Sequence, residues 1–432
     1  DADDNVALGR SALATDTLGS KSTAVGNGAL NAQNFTTATD SYNVAVGYHA
    51  GNDVTTGVDN TLIGGLAGDA FTDADKNVAI GRAALSVDTL GSKSTAIGTE
   101  ALNVQNLTTA TDTYNTAVGF QAGAAVTTGI LNTFVGGLAG DAITSGNSNV
   151  AIGYDSLSAD TLGDRNVAVG LQALKAQNFT TSTDSYNTAV GYAAGLAVTT
   201  GTGNTLMGGL AGDAITTGNT NTTLGYNSGT AITTGSRNVC LGDRAGVNIT
   251  TGSDNIVIGQ NNSIAGNGST NTHIVMGFEV VGSGQNNFTF GNGNTDSNIA
   301  FGGTSITQPS DVRLKEDIQD ETVGLGFVND LRPVTFQWKK EKDIPSDMRA
   351  HVADSEVRAM NGKYNHGFIA QEVKEVIDNH NMKDGFDMWS EDETDGRQRV
   401  GPAALMPIMV KAVQELSTKL DAALARIKTL EG

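Results

Sequence analysis

The chain has 432 residues, with 46 acidic against 26 basic side chains and a formal net charge of −20. This charge argues against binding nucleic acid through its phosphates, and no run of 18 apolar residues is present that would span a membrane. Residues up to 309 contain 47 of the 55 glycines, and about one residue in ten there is charged, against about one in three from Ser310 onward. The sequence therefore predicts two different structural units that join near residue 309.

The first unit repeats one short motif, seen as NVALG, STAVG, NVAVG and NTLIG. From Gly9 to Gly259 the closing glycine recurs every 17 residues, except for three spacings of 21, so that four motifs make a 72-residue super-repeat. In each motif, side chains alternate in the pattern of a β-strand for about five residues, and a turn-rich stretch such as TTG follows. This pattern indicates one short strand per coil, and a second short strand is expected. The glycine density argues against helix. Residues 1–261 are therefore predicted to form a mainly β structure of stacked repeats, a β-roll or β-solenoid.

A 17-residue coil encloses only a few Val, Leu, Ile and Ala side chains, while Thr, Asn and Asp are expected to be exposed in the turns. Stacking along the axis and lateral packing of several chains would supply the missing burial. The repeats resemble the left-handed β-roll repeats of trimeric autotransporter adhesin heads and the repeats in the fibres of many tailed phages, over about residues 5–260. The resemblance implies a rod of several chains. Because the chain begins with DADDNVALG inside a repeat, without a methionine, we expect a fragment or a processed form.

The three longer coils contain aromatic or large apolar residues at equivalent positions. Two interpretations stay open: these side chains could form an exposed ladder that stacks on sugars, or they could plug the ends of the longer coils, which we prefer. The pairs are Phe35 and Tyr42, Leu107 and Tyr114, and Phe179 and Tyr186.

Other chemistry in the repeats is not indicated. Cys240 is the only cysteine and replaces Ala in the motif (NVCLG against NVAVG), which predicts a small buried apolar side chain. The segment GGLAGD at 64–69 lacks the offsets of calcium-binding nonapeptides. We expect no metal and no cofactor.

Beyond residue 261 the period becomes irregular. VMG, FTFG and IAFG close at Gly277, Gly291 and Gly302, with spacings of 18, 14 and 11 residues. Residues 262–309 are therefore predicted to be an irregular β transition, and it ends at Pro309, the first proline of the chain.

The second unit, residues 310–432, is predicted to be a smaller α+β domain. PVTFQWKK at 333–340 is typical of a strand, 341–363 reads as a charged loop, and NHGFIAQEVKEVI at 365–377 predicts a strand or turn followed by an amphipathic helix. A long helix is expected from about Pro402. Its apolar residues follow a heptad seam that indicates parallel self-association as a coiled coil, although a helix packed on its own domain stays an alternative. The seam consists of Met406, Met409, Val413, Leu416, Leu420, Ala423, Ile427 and Leu430.

Four segments in order, SDVRLKEDI, LRPVTFQWKK, HGFIAQEV and VKAVQEL, resemble the endosialidase-type intramolecular chaperone domain over 310–432. Such domains lie at the C-terminus of phage tail fibres and tailspikes, hold three chains together while the upstream β-structure folds, and then cut themselves off. The resemblance implies that Ser310 is the nucleophile, Lys315 the general base and Pro309–Ser310 the bond that is cut. Asp311 and Arg313 belong to the motif and are expected to orient a strand.

This chemistry is reasonable in its own right. A serine hydroxyl needs a base to attack a carbonyl, and a lysine can serve when burial leaves its amine neutral. A trimer interface could supply the burial. The alternative is a cap that is not cleaved.

The sequence thus predicts a homotrimeric phage tail-fibre protein that carries a single-turnover serine autoprotease. We expect it in the virion after synthesis in the bacterial cytoplasm, bound through its β repeats to a saccharide receptor on the host surface, and contacting neither nucleic acid nor membrane. One alternative is a bacterial trimeric surface adhesin with a chaperone cap. Another is a tailspike that degrades polysaccharide, which requires a pair of carboxylates in a cleft. The acidic residues before 309 are instead mostly turn aspartates such as Asp69, Asp141 and Asp213.

Overall fold

The computed structural model describes residues 2–293, 295–303, 305–308, 310–348, 350–382, 388–392 and 396–431. The chain forms two compact units, residues 1–309 and residues 310–432. Within the described ranges, none of the helices has the length and apolar character needed to cross a bilayer.

The first unit is a β-solenoid, as predicted. Each coil contributes one short strand that pairs in parallel with the equivalent strand of the next coil, for example Ala45 opposite Leu62. In the described part of the unit this gives a single sheet of 18 strands, in which only the last pair is antiparallel. The strands are Val6–Leu8, Thr23–Val25, Val44–Val46, Thr61–Ile63, Val78–Ile80, Thr95–Ile97, Thr116–Val118, Thr133–Val135, Val150–Ile152, Val167–Val169, Thr188–Val190, Thr205–Met207, Thr222–Leu224, Val239–Leu241, Ile256–Ile258, His273–Phe278, Asn287–Asn292 and Thr295–Ala300.

The expected second strand is found only in some coils of the described part of the solenoid, namely the longer coils and the 17-residue coils directly before them. In the part of the solenoid that the structure describes, two-residue parallel pairs form only at the three places where a 17-residue coil meets a 21-residue coil, and the other coils close through turns. These pairs are Gly19–Ser20 with Thr39–Asp40, Gly91–Ser92 with Thr111–Asp112, and Gly163–Asp164 with Thr183–Asp184.

Two positions fill much of the coil interior. In several coils the middle strand residue is small, as at Ala24, and a buried leucine lies four residues after the closing glycine, as Leu30 does. Where the middle residue is large, as at Phe134, that later position is Gly140, at which a Cβ would lie 2.4 Å from the Phe134 ring. Because the glycine also has φ +59°, it suits both the backbone and the packing. In such coils a large residue at one position is matched by a glycine at the other, as close packing requires.

Cys240 occupies the middle strand position of its coil and is fully buried, as predicted. Burial raises the pKa of its thiol to about 12. A thiol in such a place is an inert apolar side chain, because only the thiolate is reactive.

The expectation that asparagines are exposed in the turns is wrong for those that precede the strands. These side chains are fully buried and form a ladder along the solenoid: Asn43 Oδ1 accepts the backbone N–H of Asn60 at 2.9 Å, and Asn43 Nδ2 donates to the carbonyl of Gly57 at 2.7 Å. The ladder satisfies buried backbone groups that the short strands leave unpaired. Its members are Asn43, Asn60, Asn77, Asn115, Asn132, Asn149, Asn166, Asn187, Asn204, Asn221, Asn238 and Asn255.

The longer coils enclose an additional polar network. Gln33 donates to Asp16 at 2.6 Å and to Ser22 at 2.9 Å, and its side-chain carbonyl accepts from Asn43 at 2.9 Å. The preferred interpretation of the inserted apolar residues holds for three of the six, and stacking of the others on sugars stays a prediction. Phe35, Leu107 and Phe179 are buried and plug the coils, whereas Tyr42, Tyr114 and Tyr186 remain exposed.

The second unit is the predicted α+β domain. Its helices are α1 (Leu325–Asp330), α2 (Ala370–Asn379) and α3 (Leu405–Glu431), and its antiparallel strand pairs are Val334–Phe336 with Asn365–Gly367 and Trp389–Glu391 with Gln398–Val400. Single 3₁₀ turns cover Val312–Leu314, Glu341–Asp343 and Pro402–Ala404.

The core of this unit lies where the three helices meet. α2 is amphipathic, as predicted, and buries Val373 and Ile377 against Phe327 of α1 and Ile408 of α3. The predicted strand over 333–340 is shorter than expected, because it pairs only from Val334 to Phe336. The charged segment that follows is held by ion pairs of Glu356 with Lys340 and Lys342.

Candidate active site and helix seam

The structure brings the two predicted catalytic side chains together. Lys315 Nζ donates a hydrogen bond of 2.8 Å to Ser310 Oγ. The two residues are five positions apart, and the 3₁₀ turn Val312–Leu314 between them folds the chain back on itself. A local turn is therefore enough to form the pair within one chain.

Asp311 and Arg313 stabilise this turn rather than orienting a strand, which corrects the expectation for them. Asp311 Oδ1 accepts the backbone N–H of Arg313 at 2.9 Å, as an N-cap, and the Arg313 side chain donates to the same carboxylate at 3.0 and 2.5 Å. The Arg313 hydrogen bonds hold the pKa of the Asp311 carboxyl below its usual value. The pair is exposed, so it contributes to geometry more than to stability.

The Ser310–Lys315 pair lies on the surface of the isolated chain. Both residues are exposed, and the apolar side chains on the same segment, Val312, Leu314 and Ile318, are each about two-thirds exposed. In this arrangement Lys315 Nζ donates to Ser310 Oγ, whereas general-base catalysis requires the hydroxyl to donate to the amine. Pro309, which supplies the predicted scissile carbonyl, lies outside the described residues.

The predicted seam occupies the uncovered face of α3. All eight seam residues, from Met406 to Leu430, are exposed. The helix packs on its own domain through a different set of residues near its start, Leu405, Ile408 and Ala412. Beyond Glu415, whose carboxylate accepts the backbone N–H of Leu325 at 3.0 Å, every described residue of the helix is exposed. A helix that presents a continuous apolar row to water is typical of an interface.

The solenoid also has an apolar outer surface. The first and last residues of each strand point away from the interior, and many of the last ones are more than a third exposed. Along the sheet these form an aliphatic stripe, which includes Val46, Ile63, Ile97, Ile152, Met207 and Leu224. The stripe runs in the stacking direction because the strands are paired in register.

The sequence reading did not single out the charged partners of the exposed tyrosines. Tyr42 lies next to Lys21 and Asp40, and the other two long coils repeat this arrangement. The recurrence of a basic residue 21 positions before each tyrosine is visible in the sequence. It could have been found by aligning the 72-residue super-repeats.

Residues 310–382 match the family model described as the chaperone of endosialidase. The match includes the Ser310–Lys315 turn, α1 and α2, and it ends before α3. Neither the curated proteins nor the solved structures gave a match. A chaperone-of-endosialidase segment that follows a long β-solenoid fits a tail fibre or tailspike-like protein with a C-terminal chaperone domain.

Proposed function

We propose, on the premise that residues 310–382 are a chaperone-of-endosialidase segment at the end of a β-solenoid, that this chain is a trimeric tail-fibre protein of a bacterial virus. Residues 310–432 assemble three chains and then cleave the bond between Pro309 and Ser310. The observation that carries the cleavage proposal is the 2.8 Å hydrogen bond between Ser310 and Lys315. Both residues belong to the second compact unit, which begins at Ser310.

The solenoid itself explains why such a chain needs a chaperone. Its coils are nearly interchangeable, because the buried Asn60 of one coil makes the same contacts as Asn77 of the next. Chains that associate through such repeats can pair out of register by 17 or 72 residues with little penalty, and slow association exposes unpaired edges to aggregation. A C-terminal domain that joins the chains at equivalent residues fixes the register before the coils stack.

The unpartnered apolar surfaces support self-association. The α3 seam, with a spacing that alternates between three and four residues, is the pattern of a parallel coiled coil, and the aliphatic stripe of the solenoid offers a second contact between chains. The mixed Met, Val, Leu, Ala and Ile seam does not by itself select three strands. The trimer follows from the resemblance to the chaperone family, with the seam adding affinity.

The proposed cleavage uses the carbonyl group that directly precedes Ser310 in the chain. Neutral Lys315 Nζ takes the proton of Ser310 Oγ–H, and Oγ attacks the carbonyl carbon of the preceding residue. The C–N bond then breaks, the Ser310 nitrogen leaves as an amine with the proton returned by Lys315, and an ester remains on Oγ. Water hydrolyses this ester, which releases a carboxylate at residue 309 and restores the serine hydroxyl.

Assembly and cleavage are coupled through burial. Val312, Leu314 and Ile318 are exposed in the single chain, and their docking on a neighbouring chain would remove water from Lys315 and favour its neutral form. Cleavage then detaches the chaperone and leaves the solenoid trimer kinetically trapped. In the virion, the solenoid attaches to a saccharide on the host surface.

A denaturing gel of the purified protein, together with sedimentation analysis, tests the proposal. The parent chain should split into two fragments, whereas Ser310→Ala should remain full length and still sediment as a trimer, because it loses the nucleophile and little volume. Ser305→Ala, an exposed serine close by, is the matched control and should cleave like the parent. Normal processing of Ser310→Ala would show that the assignment is wrong.

A further inference from the structure

Each of the three long coils, together with the coil before it, carries an exposed group of one cation, one aspartate and one tyrosine; we call these groups the tyrosine clusters. In the first, Lys21 Nζ lies 5.1 Å from the centre of the Tyr42 ring and donates to Asp40 at 2.5 Å. The Tyr42 hydroxyl lies 3.4 Å from the same carboxylate. The other two clusters consist of Lys93, Asp112 and Tyr114, and of Arg165, Asp184 and Tyr186.

The tyrosine rings are not required to fill the coils. They are 52–56% exposed, whereas the other large apolar residue of each insertion is only 6% exposed and already plugs the coil. Each tyrosine also has φ near +50°, a conformation that is costly for a bulky side chain. Shorter coils place Asp59, Lys76 or Thr220 at this position, with the same backbone. The long coils thus present an aromatic ring where neither burial nor backbone geometry favours one.

The clusters are aligned along one side of the solenoid. The super-repeat of 72 residues places successive clusters four coils apart, and in-register strands about 4.8 Å apart give a separation of about 19 Å. Three equal clusters on a rigid scaffold suit a ligand that itself repeats, because each further contact is then intramolecular and raises the overall affinity.

The chemistry of a cluster matches a hydroxyl-rich ring. A half-exposed aromatic face offers a stacking surface, and the adjacent carboxylate and cation offer an acceptor and a donor for hydroxyl groups. Within each cluster the cation is paired with the aspartate, so no positive charge is left over for an anionic ligand. The net charge of −20 further disfavours a polyanion.

We propose that the tyrosine clusters bind a neutral saccharide, with the sugar ring stacked on the tyrosine and its hydroxyls bound to the aspartate and the cation. This inference rests on the proposed attachment of the fibre to a host surface and names the site of that attachment. The 72-residue super-repeat then serves to place three such sites on each chain.

The test uses the purified full chain on an array of neutral oligosaccharides and bacterial polysaccharides built from glucose, galactose, mannose and rhamnose. The parent should bind at least one of these probes. Tyr42→Ala, Tyr114→Ala and Tyr186→Ala combined should lower the apparent affinity at least tenfold, and each single variant should lower it less. The corresponding three Tyr→Phe changes, which keep the rings, should stay within about threefold of the parent.

A matched control replaces three equally exposed aromatics outside the clusters, Phe120, Tyr192 and Tyr226, by alanine, and it should bind like the parent. Absence of binding to every neutral probe, unchanged binding by the triple alanine variant, or an equal loss in the control would each overturn the proposal. Sedimentation and the denaturing gel report separately on assembly and cleavage. A protein that trimerises and cleaves but binds no saccharide therefore removes only the role of the clusters.

Discussion

At the scale of single residues, the asparagine ladder is the feature on which the solenoid most depends. Asn132 Oδ1 accepts the backbone N–H of Asn149, and its Nδ2 donates to the carbonyl of Gly146, both at 2.9 Å and both in the buried interior. Asn132→Ala would leave one donor and one acceptor unpaired, at a cost of about 1–3 kcal/mol each. We expect the free energy of unfolding to fall by about 2–5 kcal/mol, measured by urea denaturation with circular dichroism.

The control for this prediction is an exposed asparagine that makes the same kind of hydrogen bond. Asn219 Oδ1 accepts the backbone N–H of Thr202 at 2.8 Å on the surface, where water can replace it. Asn219→Ala should change the free energy of unfolding by less than about 0.5 kcal/mol. Equal effects of the two substitutions would mean that burial of the ladder has no energetic role.

Asp69 makes the stability of the folded solenoid depend on pH. Burial raises the pKa of its carboxyl to about 6 in the folded chain, against about 3.9 in an unfolded chain. The folded state holds the proton more tightly, so the neutral carboxyl stabilises the solenoid fully below about pH 4, and this contribution is lost as the pH rises through about 6. Because Asp69 is only half-buried, we expect an effect on the order of 1 kcal/mol.

Asp69→Asn should therefore raise the thermal unfolding midpoint at pH 8 and leave it nearly unchanged at pH 4, at equal protein concentration. The exposed Asp59→Asn is the control and should shift the midpoint little at either pH. A stabilisation by Asp69→Asn of the same size at both pH values would contradict the assignment to ionisation.

At the scale of elements, α3 carries two functions on two faces. Its first turns are buried at Ile408 and Ala412, and Ile408 shares the domain core with Phe327 of α1, whereas the seam remains uncovered. Leu416→Asp combined with Leu420→Asp would bury up to six carboxylates in a three-chain seam, at several kcal/mol each without a partner. We expect this variant to lose the trimer in sedimentation analysis and to lose cleavage on a denaturing gel, because Lys315 would stay in water.

Thr418→Asp combined with Ala425→Asp adds the same charge on the face opposite the seam and should keep both assembly and cleavage. Normal cleavage of the Leu416→Asp, Leu420→Asp variant while it is monomeric would show that the Ser310–Lys315 pair works within one chain. The proposed coupling of assembly to cleavage would then have to be abandoned.

At the scale of the whole molecule, the chaperone should be needed for folding and not for the stability of the product. A chain that ends at residue 309 is expected to aggregate or to express poorly, because out-of-register solenoids leave strand edges unpaired. The same segment released by cleavage from the full chain should remain a soluble trimer. Size-exclusion chromatography with light scattering compares the two.

The uncleaved Ser310→Ala chain is the control, since it keeps the chaperone attached, and it should be as soluble as the cleaved product. A soluble trimer of the correct mass from the truncated gene would show that residues 310–432 are dispensable for assembly.

Features that are set by residues close together in the sequence could be predicted from the sequence alone. The strand positions follow from the 17- and 21-residue spacing of the closing glycines, and the helix seam follows from its own heptad. The Ser310–Lys315 pair was expected only from the resemblance to the endosialidase-type chaperone, and the short turn between the two residues lets them meet. Asp311 was expected to orient a strand, whereas in the structure its side chain caps this turn.

The sequence by itself determined the period of the solenoid, the boundary in composition near residue 309 and the seam of α3, because each of these is a pattern repeated along the chain. Only the tertiary structure decided that Asn43 is buried while Tyr42 beside it is exposed, and that α3 packs on its own domain through Ile408 rather than through the seam. The reason is that partners which fix these positions, such as Gly57 and Asn60 for Asn43 and Phe327 for Ile408, lie in the next coil or on another helix. A side chain that can equally fill a turn or bridge two coils is assigned to one role only when the coils are stacked.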